Sequence, residues 1–236
     1  MTTDDNPLSG RSAHYAEVPR SYYDIVMAVF VGLLIISGVT ATKLFQGPVV
    51  PVLSDWFHGG GPLIFDGGAF LFPLSYVVGD IMTEVYGWKR ARRAIWTGFA
   101  LTLLAAVTYR IVALTTPVPG FEAWNSVLAP ATRIAVAGLA GYLAGNLLNS
   151  FVVVRLKARA GENNVAARLI GSTLVGELVD TVLFCTIAFA GTITMAELGN
   201  YTVTGYLYKC LVEICVVPIT LRIIAWLKRV EPTYGL

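Results

Sequence analysis

Apolar residues run along this chain in long blocks, separated by short polar segments. A helix that crosses a bilayer needs about 20 mostly apolar residues. Six stretches reach that length, over residues 22–43, 65–85, 94–114, 131–154, 167–191 and 201–225. The fourth is the cleanest, with no charge between Ile134 and Val154. The second is the weakest, because Asp66, Asp80 and Glu84 interrupt it. Residues 1–21 are polar and lack the apolar core of a leader, so the first apolar run is expected to span and not to be cleaved. The pattern predicts an all-α integral membrane protein with six transmembrane helices. Residues 1–21 form a polar, disordered tail, residues 22–228 the membrane domain, and residues 229–236 a second short tail.

Composition agrees with this pattern. Hydrophobic residues make up 56% of the chain and charged residues 14%, against about one quarter charged in a soluble domain. Mean hydropathy is +0.67. A net charge of +2 is too small to argue for nucleic acid as a partner. The placement of the charges is more informative. Of 17 Lys and Arg residues, Arg11, Arg20, Lys89, Arg90, Arg92, Arg93, Arg155, Lys157, Arg159, Arg168, Arg222, Lys228 and Arg229 flank alternate ends of the predicted spans. The intervening loops, 44–65, 116–130 and 192–200, contain no Lys or Arg. The positive-inside rule then predicts both termini in the cytoplasm, which an even number of spans requires. Lys43, Arg110 and Arg133 lie near the opposite ends, where snorkelling to headgroups is expected. The outward loop 44–65 is rich in Gly and Pro and predicts an irregular connector.

Charge inside the spans carries the candidate chemistry. Asp80/Glu84, Asn146/Asn149, Glu177/Asp180 and Lys209/Glu213 are spaced three or four residues apart, so each pair shares a helix face. Ionisable groups in hydrocarbon are costly and face a bundle interior, a partner or a water-filled cavity. Four such faces predict a polar site between helices. On the second span Phe72, Tyr76, Asp80 and Glu84 recur every four residues, which drifts only about 40° per step. That face passes from aromatic to acidic, suited to a flat heterocycle that stacks and hydrogen-bonds. Glu84, near the interface, has the basic run Lys89–Arg93 as its alternative partner. Glu177 and Asp180 fall near mid-membrane, with Lys209, Asn146 and Asn149 as available donors. In the fourth span Ala137, Gly141 and Gly145 recur every four residues, a spacing that lets helices approach closely.

Other chemistries find little support. There is no GxxxxGK[ST] loop, HExxH or GxSxG motif. The two histidines, His14 and His58, lie outside the spans, and Cys185, Cys210 and Cys215 sit in apolar runs as expected of buried free thiols. No metal, cofactor or catalytic residue is expected.

The second span also carries a recognisable motif. Phe72-Pro73-Leu74-Ser75-Tyr76, Gly79-Asp80-Ile81-Met82-Thr83-Glu84-Val85-Tyr86-Gly87 and Ala91-Arg92-Arg93 together resemble the signature of the queuosine precursor transporter family, a vitamin-uptake-like integral membrane group. Gly176-Glu177-Leu178-Val179-Asp180-Thr181, and Tyr208-Lys209-Cys210 followed by Pro218, extend the likeness. The resemblance implies uptake of 7-deazaguanine bases, such as 7-cyano- or 7-aminomethyl-7-deazaguanine, through a bacterial-type inner membrane. Phe72, Tyr76, Asp80, Glu84, Asn146, Asn149, Glu177, Asp180 and Lys209 are then the candidate substrate contacts. A homodimer and an ATPase partner are both compatible with the sequence. The rival readings are the substrate-binding subunit of an energy-coupled vitamin importer, and a membrane-embedded enzyme using the carboxylates as acid and base.

Overall fold

The computed structural model describes residues 20–41, 43–49, 63–124, 131–191, 194–232 and 234. Among them are five helices long and apolar enough to cross a membrane. They are α1 (Tyr23–Thr40), α2 (Phe72–Ala113), α3 (Ala131–Ala160), α4 (Val165–Phe189) and α5 (Met195–Val230). The bundle is apolar outside and polar within. Leu104, Ile111 and Leu211 are about 60% exposed, whereas Asp80, Glu84, Asn146, Asn149, Glu177, Asp180 and Glu213 are all buried. A lipid environment rewards that distribution, because ionisable groups avoid hydrocarbon.

Helix α2 is broken at Gly87, whose φ of 78° and ψ of 174° are accessible essentially only to glycine. A Cβ there would meet nothing within 4 Å, so the demand is conformational and not steric. A straight helix would hold Phe72 and Ile111 roughly 60 Å apart, yet both line one cavity. The chain therefore folds back at Gly87, and the basic residues after it lie at the turn. The sequence pattern divides this stretch into two spans, 65–85 and 94–114, on either side of the same turn.

Helix α3 packs most extensively on α4, and α2 contacts α1, α3 and α5. The small-residue stripe of α3 explains the α3–α4 contact. A Cβ on Gly145 would lie 2.7 Å from Asp180 Cβ and 2.9 Å from the Gly176 carbonyl oxygen. The backbones approach closely because both sides lack a side chain there. Arg133 does not simply reach for headgroups. Its Nε and Nη2 donate to the Ile187 and Ala190 carbonyls at 2.7 and 2.6 Å, capping the C-terminal end of α4.

The described part of the Gly- and Pro-rich connector is more regular than expected. Strands β1 (Leu44–Gln46) and β2 (Ile64–Asp66) pair antiparallel, with Phe45 opposite Phe65. A 3-10 turn over Gly67–Phe70 follows, and Asp66 Oδ1 accepts from the Gly68 amide at 2.7 Å. His14, His58 and most of the 1–21 tail lie outside the described residues. Cys185 and Cys210 are buried free thiols, but Cys215 is exposed. The five-residue step from Cys210 turns a helix by about 140°, which carries Cys215 to the outer face.

A candidate transport site between α2, α3, α4 and α5

The buried polar residues are arranged along the bundle in three levels. The uppermost borders a cavity of about 390 Å³, whose lining includes Phe72, Tyr142, Asp180, Tyr201, Tyr208 and Lys209. Lys209 organises this level. Its Nζ donates to Asp180 Oδ2 at 2.6 Å and lies 3.3 Å from Glu177 Oε2. It also sits 4.3 Å from the Phe72 ring centroid, within cation–π range. Glu177 is fully buried; its Oε1 accepts no hydrogen bond, and its Oε2 has the ion pair with Lys209. A buried acceptor without a donor costs about 1–3 kcal/mol, and more when charged. A site built this way favours an incoming donor.

Tyr76 stands beside this level but not on the cavity. Its ring is wholly buried, 5.7 Å from that of Phe72, and its hydroxyl points to the Gly176 carbonyl at 3.5 Å. Of the two aromatics on the α2 face, Phe72 is the one that the cavity reaches.

The middle level holds Asp80, Asn149 and Glu213. Asn149 Nδ2 donates to Asp80 Oδ1 at 2.5 Å, and the Thr173 hydroxyl donates to Glu213 Oε1. Asp80 Oδ2, Asn149 Oδ1 and Glu213 Oε2 accept no hydrogen bond. Asn146, one turn away on α3, donates instead to its own helix at the Tyr142 carbonyl, at 3.2 Å. The two asparagines therefore do different things, although they share a face.

The lowest level is an ion network. Glu84 Oε1 lies 2.8 Å from Arg168, 2.8 Å from Lys228 and 3.2 Å from Lys157. These cations come from α4, α5 and α3, and they take the place that the sequence offers to the Lys89–Arg93 run. Arg168 is only 2% exposed and also donates to the Gly161 carbonyl at 2.8 Å. Glu162, in the α3–α4 loop, pairs with Lys228 and Lys157. The hydrogen bond from Lys228 lowers its pKa to about 2. Chain ends meet here too: the Tyr22 amide and Tyr86 hydroxyl donate to Glu231 Oε2 at 3.1 and 3.0 Å.

The structure thus gathers Phe72, Asp180 and Lys209 at the cavity, with Glu177 and Tyr76 enclosed behind them. It sets Asp80 and Asn149 one level below, and Glu84 at the far end. Glu213 and Thr173 belong to the middle level, although sequence reasoning left them outside the candidate site. The signal for Glu213 was its four-residue step from Lys209; Thr173 gives none in sequence. Among the described residues, no group of three or more His, Cys, Asp or Glu is placed to hold a metal ion.

A polar, partly unpaired interior reached by a cavity between membrane helices defines a small-molecule transporter. The family described as putative vitamin uptake transporter matches residues 66–223, and the chain belongs to that family. It is 24% identical over 155 residues to a probable queuosine precursor transporter of Bacillus subtilis (strain 168), covering 64% of this chain and 68% of that protein. It is 26% identical over 122 residues to a probable queuosine precursor transporter of Haemophilus influenzae, covering 52% of this chain and 51% of that one. No solved structure matches. The chain is accordingly a multi-pass membrane protein of a bacterial transporter family, not an enzyme.

Proposed function

We propose that the protein imports a 7-deazaguanine base, a precursor of queuosine, across a bacterial inner membrane. The observation that carries this reading is Glu177: a fully buried carboxylate behind the cavity-lining Lys209, with Oε1 unclaimed by any hydrogen-bond donor and Oε2 paired with the Lys209 ammonium at 3.3 Å. A guanine-type edge presents two adjacent N–H groups. A carboxylate accepts both in a bidentate, charge-assisted pair. An analogue without those donors leaves the carboxylate unpaired, which is how a buried polar site rejects it. The names of the two relatives support the substrate class.

In this reading Phe72 offers the stacking face, and Asp180 and Lys209 frame the ring's polar edge. Tyr76, Asn146 and Asn149 hold the helices that carry these groups. Asp80 and Glu84 lie on the path toward the basic end. The cavity is bordered by Arg110 and Asp66, both remote in sequence from the basic runs. It is the external entrance, and the Glu84 ion network closes the cytoplasmic side. Counting the two arms of α2 separately gives six crossings with both termini cytoplasmic. Reporter fusions at Asn125 and at Leu236 would then report opposite sides of the membrane.

Uptake by purified protein in ATP-free liposomes, competed by a panel of 7-deazaguanines, tests the function. Accumulation of chemically unchanged 7-cyano- or 7-aminomethyl-7-deazaguanine is expected. Uptake that needs a co-purifying ATPase would favour the substrate-binding subunit of an energy-coupled vitamin-type importer.

A further inference from the structure

Two helices each carry one residue that lines the cavity and, further on, one carboxyl of the middle level. On α2 they are Phe72 and Asp80; on α5 they are Lys209 and Glu213. Asp80 and Glu213 are 1% and 3% exposed and are neighbours across the contact between α2 and α5. Three cations surround Glu84, and Asp180 and Glu177 share Lys209. Among the described ion pairs, no cation reaches Asp80 or Glu213.

The groups facing the pair do not neutralise it. They are Asn149 from α3, Thr173 and Glu177 from α4, Tyr76 and Glu84 on α2, and the Cys210 thiol on α5. Lys209, one turn along α5, is held by Asp180 and Glu177. Helix α1, which also packs on α2, brings the titratable side chains Tyr23 and Asp24 only at its start. Each carboxyl has one oxygen satisfied, Asp80 Oδ1 by Asn149 and Glu213 Oε1 by Thr173. Each is left with one oxygen, Asp80 Oδ2 and Glu213 Oε2, that accepts nothing. Two carboxylates are both pure acceptors, so their contact becomes a hydrogen bond only when one of them carries a proton. Like carboxylates sharing a site cannot both ionise cheaply.

We propose that Asp80 and Glu213 form a proton-binding pair that couples solute movement to a proton gradient. The inference rests on the transport reading above. A proton arriving at the pair forms one O–H···O bond between α2 and α5. Its departure breaks that bond and leaves two negative charges that repel. No electron moves, and the proton is the only species gained or lost. Because the same two helices carry Phe72 and Lys209, protonation draws together the walls of the upper site, and deprotonation loosens them.

Two measurements test the pair. The first needs no solute: infrared spectroscopy of the purified wild type at neutral pH, in H2O and in D2O. A carbonyl-stretch component of a protonated carboxyl group is expected, shifted in D2O. It should be lost in Asp80→Asn/Glu213→Gln and kept in Asp180→Asn. An unchanged component in the double variant would overturn the proposal. The second measurement uses wild-type protein in liposomes, with 7-aminomethyl- and 7-cyano-7-deazaguanine as probes. A pH gradient, alkaline inside, should raise accumulation at least ten-fold, and Glu213→Gln should abolish that response. Accumulation driven by a sodium gradient and indifferent to pH would overturn proton coupling without any variant. An infrared component that behaves as expected, with no uptake of either probe, supports the proton pair and removes only the assigned solute.

Discussion

Lys209 on α5 is bound to Asp180 on α4 at 2.6 Å, and among the described residues its other carboxylate partner is Glu177, at 3.3 Å. One cation thus serves two buried anions. Removing one partner of such a pair leaves an uncompensated charge and typically costs about 3–5 kcal/mol.

Breaking the Lys209–Asp180 pair should therefore be worse than deleting it. Lys209→Met and Asp180→Asn are each expected to lower the thermal midpoint of the detergent-purified protein. The double variant should be more stable than the sum of the two single losses implies, since the residues are in direct contact. Strict additivity in the cycle would mean that the pair does not act as a unit.

At Gly87 the expected effect is on folding. With φ at 78° and ψ at 174°, the reversal of α2 needs a residue without Cβ. Gly87→Ala should cost about 1–3 kcal/mol of backbone strain, seen as a lower thermal midpoint and lower membrane yield. Wild-type stability in that variant would mean that the turn tolerates another conformation.

Much of this architecture was legible in the apolar pattern, because hydrophobic blocks of about 20 residues have few other uses. The arms of α2 and the basic turn between them follow from Asp66–Glu84 being polar on one face and Lys89–Arg93 being compact. The pairing of buried charges was less legible. Helical spacing shows that Glu177 and Asp180 share a face, but not that Lys209 reaches both. It places Asn146 beside Asn149, yet one bonds its own backbone and the other Asp80. Glu84 has a basic run close by in sequence, and three cations distant in sequence hold it instead. Such choices depend on how helices rotate against one another, which periodicity does not encode.

The two aromatics of α2 should separate in their effects. Phe72 lines the cavity and Tyr76 is enclosed. Base–aromatic stacking is worth about 1–3 kcal/mol, so Phe72→Ala should weaken solute binding by roughly five- to a hundred-fold. Tyr76→Phe removes only a long hydrogen bond to Gly176 and should leave affinity within about two- to three-fold. Binding isotherms with 7-deazaguanines would show the order; a larger loss from Tyr76→Phe would move the stacking role to Tyr76.

The network around Glu84 should respond to acid through Glu162. The carboxyl of Glu162 has a folded pKa of about 2 against an ordinary 4.5. Its stabilising effect is therefore complete above about pH 4.5 and is lost as pH falls through 2. Glu162 is largely exposed, so the effect is small. Glu162→Gln should flatten the acid limb of the stability profile slightly; an unchanged limb would mean that the contact is not formed in solution.

Glu177→Gln tests the central claim most directly. The substitution keeps shape and volume but turns one acceptor oxygen into a donor facing the substrate's N–H pair. Truncating one side of a charge-assisted hydrogen bond costs about 1.5–3 kcal/mol. Equilibrium binding of 7-cyano- or 7-aminomethyl-7-deazaguanine to monodisperse protein should therefore weaken at least ten-fold relative to the wild type. Wild-type affinity in well-folded Glu177→Gln protein would contradict the account and remove Glu177 from the site.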